Sequence, residues 1–477
     1  MSVPGNSCGT PAAADRDPGK PLADVGKTKH AWSSRPAFLL AAIGGAVGLG
    51  NLWRFPYIAG EYGGGAFVLM YLAFVFLLGV PLMAAEMLLG RRGHRSPVNS
   101  IAVLVREHNA KPFWRAIGWI SFAVPFIGLS YYAVVAAWAI DYLALAGTGA
   151  LDGFDGARSA NTFQVRSAES GYQAALHGAF VAITAWVVAN GVNKGIERAS
   201  KVLMPTLFVV MVALVVHGMI AGNFAAAAGF LFNPDFSGLT GESILVALGQ
   251  ALFSLGIGVG LMITYSSYMP REYSLRSSVT IICIGDTIAA LLAGFAIFPI
   301  VFASGLDPAG GPGLIFITLP VAFGNMAGGE FIGSLFFILL LFAAFTSAIG
   351  MLEPIVALLE EKKPGRRKQM AVVAGVAVWI LGLGSVLSFG SLSDWQPLSF
   401  IGISRNFFGI ADFTVANVLA PICALLITLF AGWVLKHNVI EEEFAGETEG
   451  WKLYWRFANR YLTPVALFVV LIDLLTA

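Results

Sequence analysis

The segment Gly44–Tyr57, "GGAVGLGNLWRFPY", lies in an apolar run long enough to cross a bilayer, yet it reads badly as a continuous helix. Four glycines fall within its first seven residues, and Asn51 and Arg54 follow. Glycine loosens a helix and exposes its backbone. An arginine in hydrocarbon is costly. Lipid offers no partner to the N–H and C=O groups that a break sets free, so they must face a ligand, an ion or other protein.

The chain around this segment has 477 residues, is 57% hydrophobic and only 12% charged, and has a mean hydropathy of +0.76. Soluble domains carry far more charge. Apolar runs at 37–61, 65–90, 116–147, 174–193, 199–221, 243–269, 277–305, 332–359, 370–390, 411–436 and 454–476 read as eleven membrane spans. The net charge of +1 gives no field that would attract nucleic acid. Three cysteines, Cys8 in the tail and Cys283 and Cys423 in spans, form no disulfide framework. Residues 1–35 lack the apolar core of a signal peptide and read as a disordered cytoplasmic tail.

With the N-terminus inside, 25 Lys and Arg fall on the cytoplasmic side and three (Arg158, Arg166, Arg405) outside, while Arg54 stays within a span. That asymmetry predicts a multi-pass protein of the inner (plasma) membrane with a cytoplasmic N-terminus and, for an odd span count, an external C-terminus. The run "EEKKPGRRK", Glu360–Lys368, then reads as a solvated inner loop.

A second break, "GQALFSLGIGVG" at Gly249–Gly260, interrupts the sixth span. Glycines in one span alone are as well explained by close helix packing. Matching interruptions in two halves point to a transporter binding site at the interface of inverted repeats. The expected organisation is a first five-span repeat at 36–222, a second at 223–437, and an inner loop with an eleventh helix at 438–477.

The stretch "AAIGGAVGLGNLWRFPYIAGEYGGGAF" resembles the first-helix signature of the neurotransmitter:sodium symporter family. "GVPLMAAEMLLGR", "SYYAVVAAW", "NKGIERASKVLMP", "GQALFSLGIGVGLMITYSSY", "FITLP" and "FAAFTSAIGMLEP" follow in the family's order, so the likeness runs over residues 30–435. The resemblance implies an all-α membrane protein with a LeuT-type five-plus-five inverted repeat and discontinuous first and sixth helices. It also implies sodium-coupled import of a small amine-bearing substrate, not an enzyme. Two sodium ions are expected. The first would take the Ala46 carbonyl, Asn51, Ser254 and Asp286. The second would take the Gly44, Val47 and Ala343 carbonyls with the Thr346 and Ser347 hydroxyls. Such oxygens suit a hard cation, although hydroxyls in membrane helices also bond to their own backbone.

Asp286 departs from the asparagine common in the family. The matching chloride shell would be Tyr71, Gln250, Ser254, Asp286 and Ala290, where alanine replaces the chloride-holding serine. The Asp286 carboxylate is expected to supply the negative charge beside sodium, so that chloride is not needed. A protonated structural aspartate, or one that gains a proton on the return step, are the alternatives. Glu86 matches a family glutamate that braces the unwound sixth helix. An intramembrane aspartyl protease is excluded, since "IGDT" lacks the preceding glycine of the GxGD motif.

Gly48 stands where monoamine carriers have an aspartate, which argues for a substrate with its own carboxylate. That carboxylate would meet the first sodium, the N–H groups of Leu49 and Gly50, and the Tyr132 hydroxyl. The amine would meet the carbonyls of Ala46, Phe253 and Ser254. The side-chain pocket resembles Gly128, Gly256, Val259, Ser347 and Met351, roomy and apolar. A bulky hydrophobic or aromatic L-amino acid is expected, with glycine or alanine as the fallback. Arg54 and Asp412 resemble an outer gate, with Phe253 as its aromatic lid. Lys29, Arg35, Tyr268 and Glu361 resemble an inner gate, in which Lys29 lacks the planar fork of the usual arginine. A transporter-like amino-acid sensor without flux is the rival function. A channel fits isolated gate residues less well.

Overall fold

The computed structural model describes residues 31–309, 311–399 and 404–476. The tail before residue 31, with Cys8 and Lys29, lies outside the described residues. Each of the eleven apolar segments is helical. Eight are continuous helices of 20 to 36 residues, apolar enough to cross a membrane. The remaining three, the first, sixth and eleventh, are built in pieces.

The first span starts at Arg35, where the Ser34 hydroxyl accepts the Ala37 N–H. This N-cap satisfies one of the donors that the first helical turn leaves open. The helix runs Arg35–Ala46 and stops at Val47, whose backbone is extended. It resumes through a wide turn at Gly50–Arg54 into Phe55–Glu61, and the two halves bend by 51°. The sixth span opens on a reciprocal Thr240–Ser243 capping box and runs Gly241–Ser254. It restarts as Leu261–Ser267. Between them Gly256, Gly258 and Gly260 all hold positive φ (62°, 80° and 77°), a region that residues with a Cβ rarely enter. The eleventh is assembled from Glu449–Phe457, Ala458–Leu462 and Thr463–Thr476.

The third span (Pro112–Gly147) packs along the eighth (Gly329–Lys362), and the fourth (Ser170–Ala189) along the ninth (Arg367–Leu387). The eighth is 72% buried over its most apolar stretch and the fifth (Val192–Ala221) 28%, so the eighth is a central strut and the fifth a lipid-facing one. Helices outside the spans, at Pro97–Glu107, Gly156–Ala168, Phe224–Phe232 and Thr318–Asn325, cover the ends of the bundle. The two breaks lie side by side. A Cβ on Gly50 would stand 3.2 Å from the Phe253 ring.

Candidate functional site

Asn51 sits where the first helix resumes and is fully buried. Its side-chain oxygen accepts the Gly48 N–H at 3.1 Å. Its amide nitrogen reaches Ser254 Oγ at 2.9 Å, Asp286 Oδ1 at 2.9 Å and the Asp286 carbonyl at 3.1 Å. Ser254 donates to Asp286 Oδ2 at 2.6 Å, and the Tyr71 hydroxyl lies 3.2 Å from Ser254 Oγ and 3.5 Å from Asp286 Oδ2. Breaks one and six and the seventh span (Leu275–Ala303) therefore meet at one cluster of side chains. Gln250 donates at 2.9 Å to the Gly50 carbonyl, which also accepts the Phe55 N–H, and the buried Glu86 accepts the Gly258 N–H at 3.1 Å. Both breaks thus have backbone groups tied to buried side chains, as lipid exclusion demands.

A second oxygen cluster lies across the first break. Ser347 Oγ donates to the Val47 carbonyl at 3.2 Å and reaches the Gly44 carbonyl at 3.5 Å. Thr346 Oγ1 donates to the Ala343 carbonyl at 3.0 Å and the Phe342 carbonyl at 3.1 Å. A Cβ on Gly44 would approach Thr346 Cβ to 3.2 Å, which places the two helices in direct contact here. Ser347 thus joins its helix to the carbonyls at the first break, while Thr346 bonds within its own helix. Among the described residues no group of three or more His, Cys, Asp and Glu is placed to hold a metal. Both clusters are of the carbonyl, hydroxyl, amide and single-carboxylate kind.

Every residue expected to touch substrate, from Ala46 through Gly128 and Tyr132 to Met351, lines one cavity. The Leu49 N–H donates to the Tyr132 hydroxyl at 3.3 Å. Gly48 has no room: a Cβ there would stand 2.5 Å from Ser347 Oγ and 3.0 Å from the Tyr132 hydroxyl. Around Gly128 the nearest atoms to a Cβ would be Val415 Cγ1 at 3.7 Å and Met351 Sδ at 3.9 Å, and Gly256 faces open space. Val124 and Val415 also line this wall. Sequence reasoning missed them because they are ordinary apolar residues on spans that must carry apolar residues anyway.

At the expected outer gate, the Arg54 guanidinium lies 4.5 Å over the Phe253 ring, a cation–π contact. Among the described residues no ion pair joins Arg54 to Asp412; Tyr131 stands beside that carboxylate instead. Phe253 is 38% exposed, so its ring is accessible to solvent beside Arg54. Before the first helix, Trp32, 4% exposed, is packed into the bundle and donates to the Tyr265 carbonyl at 2.9 Å. Ser33 bonds to Glu197 beside it, and Arg35 donates to Ser277 Oγ at 2.6 Å.

Arg35, Tyr268 and Glu361, expected together as an inner gate, take separate hydrogen-bond partners, although the Glu361 charge still reaches Tyr268. Glu361 accepts from Ser96 N at 2.7 Å, Ser96 Oγ at 2.6 Å and Asn99, while Tyr268 donates to Glu353 Oε1 at 2.9 Å. Glu353 is in turn bridged by Arg367, which also takes Glu360 Oε2 at 2.9 Å and the Val188 carbonyl at 3.0 Å. The reason is depth. Glu353 is fully buried inside the eighth span and needs a cation, whereas Glu361 is near its end and is served by the loop after the second span. An acid inside an apolar span demands a named partner, and "GMLEP" carried that signal. Arg367→Met should leave Glu353 buried without its cation and cost about 3–5 kcal/mol. The expected result is a clear drop in melting temperature in detergent, partly restored in the double variant with Glu353→Gln. An unchanged melting temperature would mean that the pair is replaceable by solvent.

Comparison with known proteins gives a consistent picture. The model of a family described as "Sodium:neurotransmitter symporter family" matches residues 29–170 and 166–477. A sodium-dependent transporter of Bacillus subtilis strain 168 is 39% identical over 449 residues, covering 93% of this chain and 97% of that one. One from Haemophilus influenzae is 31% identical over 453 residues, covering 94% and 98%. The crystal structure of MhsT in complex with L-phenylalanine superposes with a TM-score of 0.84 at 38% identity, over 94% of this chain and 100% of that one.

Proposed function

The chain belongs to the sodium:neurotransmitter symporter family, and we propose that it imports a bulky hydrophobic or aromatic L-amino acid together with two sodium ions, without need of chloride. It is a sodium-dependent transporter, not an enzyme. The observation that carries the substrate assignment is Gly48. An aspartate there, the charge partner of a bare amine, would collide with Ser347 Oγ and the Tyr132 hydroxyl. The substrate must bring its own carboxylate, which the Leu49 and Gly50 N–H groups, Tyr132 and a sodium at Asn51 and Asp286 would receive. The room around Gly128 and Gly256 favours a large side chain, and MhsT, similar over nearly the whole chain, was crystallised with L-phenylalanine.

The first sodium would sit among Ala46, Asn51, Ser254 and Asp286, the second among Gly44, Val47, Ala343, Thr346 and Ser347. Asp286 supplies the anionic ligand. Residues 36–222 and 223–437 form the two inverted repeats, a division supported by the side-by-side breaks in spans one and six. Arg54, Asp412 and Phe253 close the outer route, and the region of Trp32 and Arg35 opens as one bundle rocks against the rest. The N-terminus faces the cytoplasm of the inner (plasma) membrane and the C-terminus the outside, as the 25-to-3 charge split favours.

The test is uptake of labelled tryptophan and leucine into proteoliposomes, with and without an inward sodium gradient. Accumulation of either above equilibrium only with the gradient is expected; its absence for both would overturn the assignment. Gly128→Leu fills the wall against Val415 and Met351. Overpacking of this kind costs about 1–3 kcal/mol. Tryptophan uptake should therefore fall at least about fivefold relative to glycine or alanine uptake. An unchanged ratio would remove Gly128 from the pocket.

A further inference from the structure

Away from the substrate route, a cavity of about 460 Å³ opens between the fourth and ninth spans. It faces outward from the bundle: Trp186 is 69% exposed, Val372 59% and Val376 48%. Gly178, Ala182 and Ala185 give it a floor with almost no side chain. The spans touch below it, since a Cβ on Gly375 would stand 3.1 Å from Ala185 Cβ. Trp379 closes one end. Its indole N–H donates to the Ala174 carbonyl at 3.1 Å, which holds the ring over Gly178.

The other end is polar, with Asn190 and Lys368 at the mouth. The neighbouring Arg367 is consumed by Glu353, Glu360 and Val188. Lys368 is exposed and, among the described residues, makes no hydrogen bond or ion pair. An apolar slot open to hydrocarbon, with an uncommitted ammonium at its interfacial end, matches a lipid with a negative headgroup. Basic positions between helices at the cytoplasmic face bind such headgroups.

We propose that this slot holds an acyl chain of one anionic glycerophospholipid, whose phosphate sits on Lys368. A second copy of the chain is disfavoured as the occupant. A dimer axis normal to the bilayer would bring two Lys368 side chains together at one depth, like charge against like. The assignment to the inner leaflet rests on the orientation proposed above; the site itself does not.

The experiment is native mass spectrometry of the full-length protein in detergent, offered dioleoyl phosphatidylglycerol or dioleoyl phosphatidylcholine. The wild type should retain one phosphatidylglycerol with at least a tenfold preference. Lys368→Gln should abolish the preference, and Ala182→Phe, which fills the slot from its floor, should release both lipids. Melting temperature in detergent checks the fold of each variant, and should Ala182→Phe fail to fold, the exposed Lys368→Gln decides alone. Equal retention of both lipids by the wild type, or an undiminished preference in Lys368→Gln, overturns the proposal. So does a dimer that Ala182→Phe dissociates without release of lipid.

Discussion

Asp286→Ala is expected to weaken sodium binding by about a hundredfold or more. The carboxylate is fully buried, and Ser254, Asn51 and Tyr71 all turn donors toward it. Removal of one partner from a buried charge pair costs about 3–5 kcal/mol, and each 1.4 kcal/mol is about tenfold in affinity. Asp286→Asn keeps the size and loses the charge, so its sodium affinity should also fall, by about tenfold or more on the same scale. Binding of labelled substrate as a function of sodium concentration reads both. A protonated, structural Asp286 would make the asparagine variant nearly neutral, and that outcome would remove the acid from the ion site. In the wild type, gluconate in place of chloride should leave uptake unchanged, because the charge beside sodium is already covalently present. A fall in gluconate would sink the chloride-independence proposal whatever the variants do.

Gly48→Ala should reduce uptake by about a hundredfold and, by the same overpacking, lower the melting temperature. The new methyl group would lie 2.5 Å from Ser347 Oγ and 3.0 Å from the Tyr132 hydroxyl. Neither neighbour can yield freely. Ser347 is bonded to the Val47 carbonyl and Tyr132 to the Leu49 N–H, one in each set of groups proposed for ion and substrate. Overpacking at the upper end of about 3 kcal/mol corresponds to roughly a hundredfold. Gly249→Ala is the control: it lines the same cavity and has nothing within 4 Å of a new Cβ. Wild-type uptake by Gly48→Ala would show that the close approach at the break is not needed.

The spans and the two breaks were legible in the sequence because a bilayer imposes a length and a composition, and a glycine cluster with Asn51 violates both in one place. Composition says nothing of which buried polar groups meet. Asp286 could be read as an acid in need of a cation, but its bonds to Ser254 and Asn51 depend on how three helices cross. The inner side shows the limit more sharply. Glu353 and Glu361 lie on one helix, eight residues apart, and nothing local says that Arg367 goes to the first and Ser96 to the second. The short helices at Pro97–Glu107 and Gly156–Ala168 fall between the apolar spans, where the pattern that marks a span does not apply.

The segment Gly256–Gly260 also constrains how this carrier can diversify. All three of its glycines hold positive φ, and a Cβ on Gly258 or Gly260 would run into the carbonyl oxygens of Ala420 and Ser121, at 2.6 and 2.4 Å. Substitutions of these three glycines damage the backbone before they can alter selectivity. Adaptation to a new nutrient is therefore confined to the walls, at Gly128, Val259, Met351 and Val415, where side chains change without moving the chain. Directed evolution of this protein toward other substrates should accumulate its successful changes at those four positions and leave Gly256, Gly258 and Gly260 untouched.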